Sequence, residues 1–312
     1  MTSYITLHYQ KASFMADLKI GVVGLPGAWS TEVLADAVEA QSNFRCVIDY
    51  SEVRIDLVEG KAWYKEHDLC CFDALIVKKI SKTYSPASVD RLLELDWIKK
   101  QGVPVYSDPY SMALLVNRLG CTLALSSVGI PMPKTSVAES IDEAIKIVKE
   151  YGSCVLKPLF STKARGMCVV NHDDADLRQQ LQQFKNDNPV MYIQQKIALP
   201  GRDLGLMFLG GEYIGTYARV SSGESWNTTT RDGGEYDCHS PRPETIEIAE
   251  KAQACFDLTY TVVDIVEHEN PQETIVFEVS AFGGFRGAKE GCDVDVASMY
   301  ADYVIKQIEG IK

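Results

Sequence analysis

No stretch of this 312-residue chain approaches the roughly 20 consecutive apolar residues that a membrane-spanning helix needs, so no helical span is expected. The N-terminal MTSYITLHYQKASFMADLK lacks an uninterrupted apolar core and does not read as a secretory signal; the first convincing strand starts only near Leu18. No CxxC pair occurs and the five histidines are dispersed, so a structural zinc site is not expected. The nine cysteines are an odd number, with Cys70 and Cys71 adjacent, and they read as reduced thiols of a cytoplasmic protein. Positive charge is also short. With 31 Lys and Arg against 43 Asp and Glu, the net charge of -12 repels nucleic acid and anionic lipid, and neither is expected as a partner. A cluster of cations in so acidic a chain therefore needs an explanation. GxxxxGK[ST] is absent, which removes the Walker A loop, and no internal repeat or low-complexity tract is visible.

What is present is ordinary globular composition, 46% hydrophobic and 24% charged, in a length that suits two domains or three small ones around a shared cleft. LKIGVVGLPGAWSTEVLADAVEAQ reads as strand, Gly/Pro loop and helix, with Ser30 or Thr31 as the helix cap. RCVIDYSEVRIDLVEGKAWY supplies short strands around a turn near Glu59-Gly60. FDALIVKK is a buried strand, DRLLELDWIKKQG a helix stopped by Gly102, and VPVYSDP another strand. This alternation predicts an open, mostly parallel α/β sheet over residues 1–110. A helical pair, SMALLVNRLGCTLALSSVGI, opens a second unit over 111–189. It continues through the helix SIDEAIKIVKEYG, capped by Ser140 and ended by Gly152, to the hairpin SCVLKPL and GMCVVNH. Strands then dominate residues 190–312, interrupted by GESWNTTTRDGG, a polar loop too long for a simple turn.

Two constellations carry chemistry. VLKPLFSTKARGMCVV, residues 155–170, places Lys157, Lys163 and Arg165 around a Ser-Thr pair and Gly166. Such a hairpin is either a solvated turn or a flap over phosphates, with backbone N–H groups near Gly166 as donors. Further on, Asp264 and Glu278 each sit in an apolar strand, separated by a turn built on Asn270-Pro271. On paired strands the two carboxylates come side by side, and burying them needs a cation, which suggests Mg²⁺ ligands. Gly21, Gly24 and Gly27 form a GxxGxxG, but Gly21 lies in the strand rather than the turn, and no acidic residue convincingly ends the next strand.

Taken together, the basic hairpin, the later pair of strand carboxylates and the Gly-rich ending resemble the ATP-grasp superfamily, nearest its RimK-like branch of carboxylate-amine ligases, over roughly residues 19–310. The resemblance implies an N-terminal open parallel α/β domain followed by two α+β subdomains clasping ATP. It also implies ATP with one or two Mg²⁺ ions (or Mn²⁺) as cofactors. Lys157 in VLKP matches the family's phosphate lysine, and Arg118 stands where an upstream lysine is usual. Lys163 and Arg165 occupy a flap that is poorer in glycine than the family's. Gln194-Gln195-Lys196-Ile197 matches the strand that hugs adenine, with Gln195 in place of its glutamate. Asp203 in GRD corresponds to a ribose ligand; Arg231 in RDGG matches an arginine of the family's RGG segment and Arg219 lies in the strand before it, and both are taken as catalytic. Asp264, Glu278 and Ser280 correspond to the metal ligands, with Ser280 replacing an asparagine.

The same resemblance places Trp29, Ser30 and Lys79 toward the acceptor, and Gly284, Arg286 and Lys289 beside an incoming amino acid, for which two cations would suit an acidic one such as glutamate. The implied reaction is amide formation through an acyl phosphate, between an amino acid and a small-molecule or peptide carboxylate. The family commonly forms dimers or tetramers, which leaves a homo-oligomer open. Two other readings stand beside it: a nucleotide-binding protein without ligase activity, motivated by Ser280 and the Gly-poor flap, and an NAD-dependent oxidoreductase, motivated by the first glycine loop.

Overall fold

The computed structural model describes residues 18–162, 164–220, 235–270 and 273–310. The described residues open with β1 (Ile20–Val23), α1 (Trp29–Ser42) and β2 (Cys46–Ile48). A small antiparallel sheet follows, made of β3 (Arg54–Asp56), β4 (Lys61–Tyr64) and β5 (His67–Asp68). Then come β6 (Ala74–Val77), α2 (Pro86–Lys100) and β7 (Val105–Tyr106). Strands β2-β1-β6-β7 form one parallel sheet in that order. Every residue of IGVV and of ALIV is buried, the signature of strands covered on both faces. Gly21 is required inside β1, because a Cβ there would lie 2.6 Å from the Ile48 side chain.

The first helix departs from the sequence reading. It starts at Trp29, so its N-cap is Ala28, which has no capping side chain, and Ser30 and Thr31 fall inside the first turn. The first turn instead reaches back to the glycine loop: Thr31 Oγ1 accepts from the Leu25 N–H at 3.3 Å, and Glu32 Oε1 accepts from the Gly27 N–H at 2.6 Å. Ser140 does hold the cap position of its helix but makes no side-chain capping bond, and Gly152 ends that helix at φ +84°.

The middle unit holds α3 (Pro109–Val116), α4 (Arg118–Ser127), β8 (Thr135–Ala138), α5 (Ile141–Tyr151), β9 (Ser153–Lys157), β10 (Cys168–Asn171), α6 (Leu177–Asp187) and β11 (Met191–Gln195). Its sheet runs β10-β9-β11-β8, antiparallel throughout, over a core that α5 and α6 share with Leu156, Val170 and Ile193. Strand β11 thus belongs to the middle sheet, although its residues follow position 189.

The last unit contains β12 (Arg202–Leu209), β13 (Glu212–Val220), β14 (Glu235–Cys238), α7 (Pro243–Gln253), β15 (Tyr260–Val266), β16 (Ile275–Val279), α8 (Arg286–Cys292) and α9 (Val296–Gly310). Its antiparallel sheet has the order β14-β13-β12-β15-β16. The first and last units share a core in which Leu34 and Val38 of α1 cluster with Val304 and Ile308 of α9. Met112, Leu115 and Leu125 of the α3–α4 pair likewise join Val263, Ile265 and Val276. Among the described residues no helix is long and apolar enough to cross a membrane.

Candidate active site

The middle and last sheets face each other across a cleft of about 730 Å³, within the ~300–1,000 Å³ usual for small-molecule sites. Arg118 and Lys157 come from the middle unit. The chain breaks helix at Asn117, whose extended backbone separates α3 from α4 and whose Oδ1 accepts from the Leu119 N–H at 3.0 Å. That break puts Arg118 at the start of α4, where its own N–H bonds the Leu159 carbonyl of the basic loop at 2.9 Å. The guanidinium reaches across the cleft to Glu278 Oε2 at 2.9 Å, and its Nε is buried with no hydrogen-bond partner.

Lys157 ends β9 opposite Tyr192 of β11, and its ammonium donates to Gln194 Oε1 and lies 5.4 Å from the centre of the Phe277 ring. Burial pushes its pKa down to about 7; Arg118 adds to the fall and Glu278 opposes it. Gln194 is itself buried and is fixed by donating to Thr135 Oγ1 at 2.9 Å. Burial thus disfavours the Lys157 charge, and a bound anion would stabilise it.

The carboxylates come from the other side. Asp264 of β15 and Glu278 of β16 are direct partners in the strand register, so their side chains leave the sheet next to each other. Arg219 of β13 lies between Asp264 Oδ1, at 3.0 Å, and Asp203 of β12, to which its Nε donates at 2.9 Å. Burial works against the Arg219 charge, yet Asp264 and Asp203 hold its pKa well above the ordinary value. Burial also raises Asp264, to about 7; Arg219 pulls it down while Glu278 and Asp203 push it higher. Its Oδ1 makes an ion-pair contact but no aligned hydrogen bond. A buried carboxylate with an unsatisfied oxygen beside a second carboxylate fits a divalent cation, and Ser280 lines the same cleft.

Residues 112–304 match the RimK-like ATP-grasp domain. The chain belongs to the RimK-like ATP-grasp family. It is 26% identical over 273 residues to the tetrahydromethanopterin:α-L-glutamate ligase of Methanosarcina acetivorans, covering 81% of this chain and 84% of that one. A probable α-L-glutamate ligase of Photobacterium profundum is 24% identical over 298 residues, 93% and 96% of the two chains. Among solved structures, a RimK-domain ATP-grasp protein from Sphaerobacter thermophilus superposes with a TM-score of 0.71 at 19% identity, over 91% of this chain and 98% of that one. The ATP-grasp ligase PsnB, solved with a phosphomimetic variant of its minimal precursor, Mg and ADP, gives 0.71 at 17% identity over 94% and 99%. These likenesses establish the fold: a parallel α/β domain followed by the two α+β halves of an ATP-grasp.

In this RimK-like ATP-grasp chain, one cleft gathers most of the residues singled out from the sequence. Arg118, Lys157, Arg165, Gln194, Gln195, Lys196, Ile197, Asp203, Arg219, Asp264, Glu278 and Ser280 all line it, and so do Lys79 and Gly284. Gly166, at φ +70°, shapes the turn beside Arg165 without lining the cleft. Trp29 and Arg286 meet each other instead, the guanidinium 5.7 Å from the ring centre, and Ser30 lies beside Trp29 outside the lining. Lys289 is exposed and paired with Asp293 one helical turn on. Lys163 and Arg231 lie outside the described residues, as does the loop carrying Arg231.

Five aromatic residues of the site escaped the sequence reading, and three of them lie beside its lysines. Tyr84 and Phe282 flank Lys79, at 4.1 and 5.2 Å from its ammonium, and Tyr84 OH accepts from that ammonium at 2.6 Å. Phe277 underlies Lys157. An aromatic next to a chemically marked residue (Phe277 before Glu278, for instance) was the available signal, but pairing segments some 200 residues apart needs the fold.

Proposed function

We propose that this chain is an ATP-dependent carboxylate-amine ligase that joins an amino acid, glutamate foremost, to the carboxylate of a small molecule or peptide. The observation that carries it is the meeting, in one cleft, of Arg118 and Lys157 from the middle unit with the adjacent Asp264 and Glu278 of the last. Relatives bearing the names of glutamate ligases direct the choice of amino acid.

Making an amide from a carboxylate requires a better leaving group than oxide. Phosphorylation by ATP gives an acyl phosphate that an amine displaces, and the protein's task is chiefly charge compensation and positioning. Lys157 and Arg118 hold the phosphates, with Arg165 and the turn at Gly166 closing over them and excluding water. Gln194 to Ile197, at the end of β11, face the base, and Asp203 lies near the ribose while orienting Arg219. Mg²⁺ bound by Asp264 and Glu278, with Ser280 at hand, would neutralise phosphate charge. Arg219 then stabilises the oxyanion formed when the amine adds, with Arg231 as its expected companion. Lys79, held between its two rings, addresses the acceptor carboxylate. The three units supply acceptor, phosphate and metal chemistry in turn, the second running on through β11.

ADP release measured across a panel of amino acids and carboxylates, with product mass, tests the reading. Amino-acid-dependent ADP with a product heavier than the acceptor by one amino acid less water supports it. ATP binding without such turnover supports a nucleotide-binding role instead.

A further inference from the structure

Next to Lys79 lies a second lysine that the reaction does not use. The Lys78 and Lys79 N–H groups both donate to the Val23 carbonyl, at 2.8 and 3.1 Å, as the chain leaves β6. From there the two side chains diverge. Lys79 takes the Tyr84 and Phe282 rings. Lys78 is 5% exposed and donates to the Gly283 carbonyl at 2.7 Å, 205 residues away, with its ammonium 4.4 Å from the centre of the Phe285 ring. The neighbouring lysines therefore straddle one turn, residues 281–285.

That turn directly follows Glu278 and Ser280, and it is gripped elsewhere too. A Cβ on Gly283 would meet Tyr260 and Val262 at 2.7 and 2.9 Å, so its backbone lies flat on β15. Tyr260 OH donates to the Gly284 carbonyl at 3.2 Å, and the Phe285 ring packs edge-on against Tyr260 with centroids 5.2 Å apart. Tyr260 belongs to the same unit as the turn. Lys78 comes from the parallel domain. Burial and the Lys79 charge push the Lys78 pKa down to about 7, which shows how unfavourable this position is for an ammonium. A methionine of similar length would fill the space without that penalty, so packing alone does not explain a lysine here.

We infer that Lys78 is a positioning residue: its bond to the Gly283 carbonyl sets the 281–285 turn against the parallel sheet, and through it the cleft wall formed by Phe282 and Gly284. An incoming amino acid bound against Gly284 of this turn feels the setting directly, whereas the phosphates at Lys157 do not. The kinetic part of this inference rests on the ligase reading; the structural part does not.

The test compares wild type, Lys78→Met and Lys78→Arg as full-length folded proteins. Hydrogen exchange followed by mass spectrometry is expected to run at least tenfold faster in Lys78→Met over residues 281–287, to recover in Lys78→Arg, and to stay unchanged over β9 and β10. With glutamate as probe, the KM for glutamate is expected to rise more than tenfold in Lys78→Met, while the KM for ATP stays within twofold and Lys78→Arg recovers. Unchanged exchange at the turn overturns the inference, as do equal losses for ATP and glutamate. If the wild type ligates nothing, the ligase reading fails while the exchange result still decides the role of Lys78.

Discussion

Arg219→Met would leave Asp203 and Asp264 without the cation they share. In the folded chain all three side chains are largely covered, at 20%, 8% and 16% exposure, so water cannot substitute for the guanidinium. Removing one partner from such a buried group costs about 3–5 kcal/mol, because the remaining charges stay desolvated and, here, face each other. At ~2 °C per kcal/mol for a large domain, the melting temperature should fall by about 6–10 °C. The sign with pH follows from the acids. Burial already raises Asp264, and without Arg219 its folded pKa rises further above the unfolded one, so the native state binds more protons than the unfolded chain. The stability deficit relative to wild type is then small at pH 5, where protonation relieves the strain, and grows toward pH 8. Calorimetry in the presence of a chelator at pH 5, 6.5 and 8 measures this, and Asp203→Asn added to Arg219→Met should recover part of the loss at pH 8. A deficit under 2 °C, or one that does not change with pH, would refute the buried triad as the reason these strands carry charges.

Other outcomes follow from the same geometry. Lys157→Ala should reduce ATP-dependent ligation by on the order of 10²–10³ while the protein stays folded, since removing one preorganised donor to developing charge has that effect; normal turnover would dismiss its phosphate role. Lys78 and Lys157 are both pushed down to about 7, below their unfolded values, so stability should climb as pH rises from 7 toward 10, by at most ~1.4 kcal/mol per pH unit for each. Urea titrations should show that slope flattened in Lys78→Met, and an identical slope in both proteins contradicts the assignment. Asp264→Asn should raise the Mg²⁺ concentration for half-maximal turnover more than tenfold; no change would remove it from the metal site.

Much of the fold could be read along the chain because its elements announce themselves locally. The all-apolar IGVV and ALIV separated by helical patterns specify a parallel sheet, and SCVLKPL with GMCVVNH specifies a hairpin, as β9 and β10 show. Asp264 and Glu278 were legible for a physical reason: carboxylates in apolar strands are expensive, and the register sets them side by side. What escaped depends on long-range placement. Strand β11 looks like the start of the last strand-rich region, but its partners are β8 and β9 on either side. The first helix begins at Trp29 behind an uncapped Ala28, and Thr31 and Glu32 satisfy the glycine loop from inside, which no capping preference foretells. Asp203 read as a ribose ligand, and the fold adds that it braces Arg219. Lys78 and Lys79 are adjacent and alike in sequence, and only the fold sends one to a carbonyl and the other to a cage of rings.

The most direct test is a crystal structure with a non-hydrolysable ATP analogue and Mn²⁺, whose anomalous signal locates the metal. The account predicts one nucleotide in the cleft, its phosphates bonded by Lys157 and Arg118, and a metal peak touching both Asp264 and Glu278. A nucleotide bound elsewhere, or a metal that avoids these two carboxylates, would contradict it.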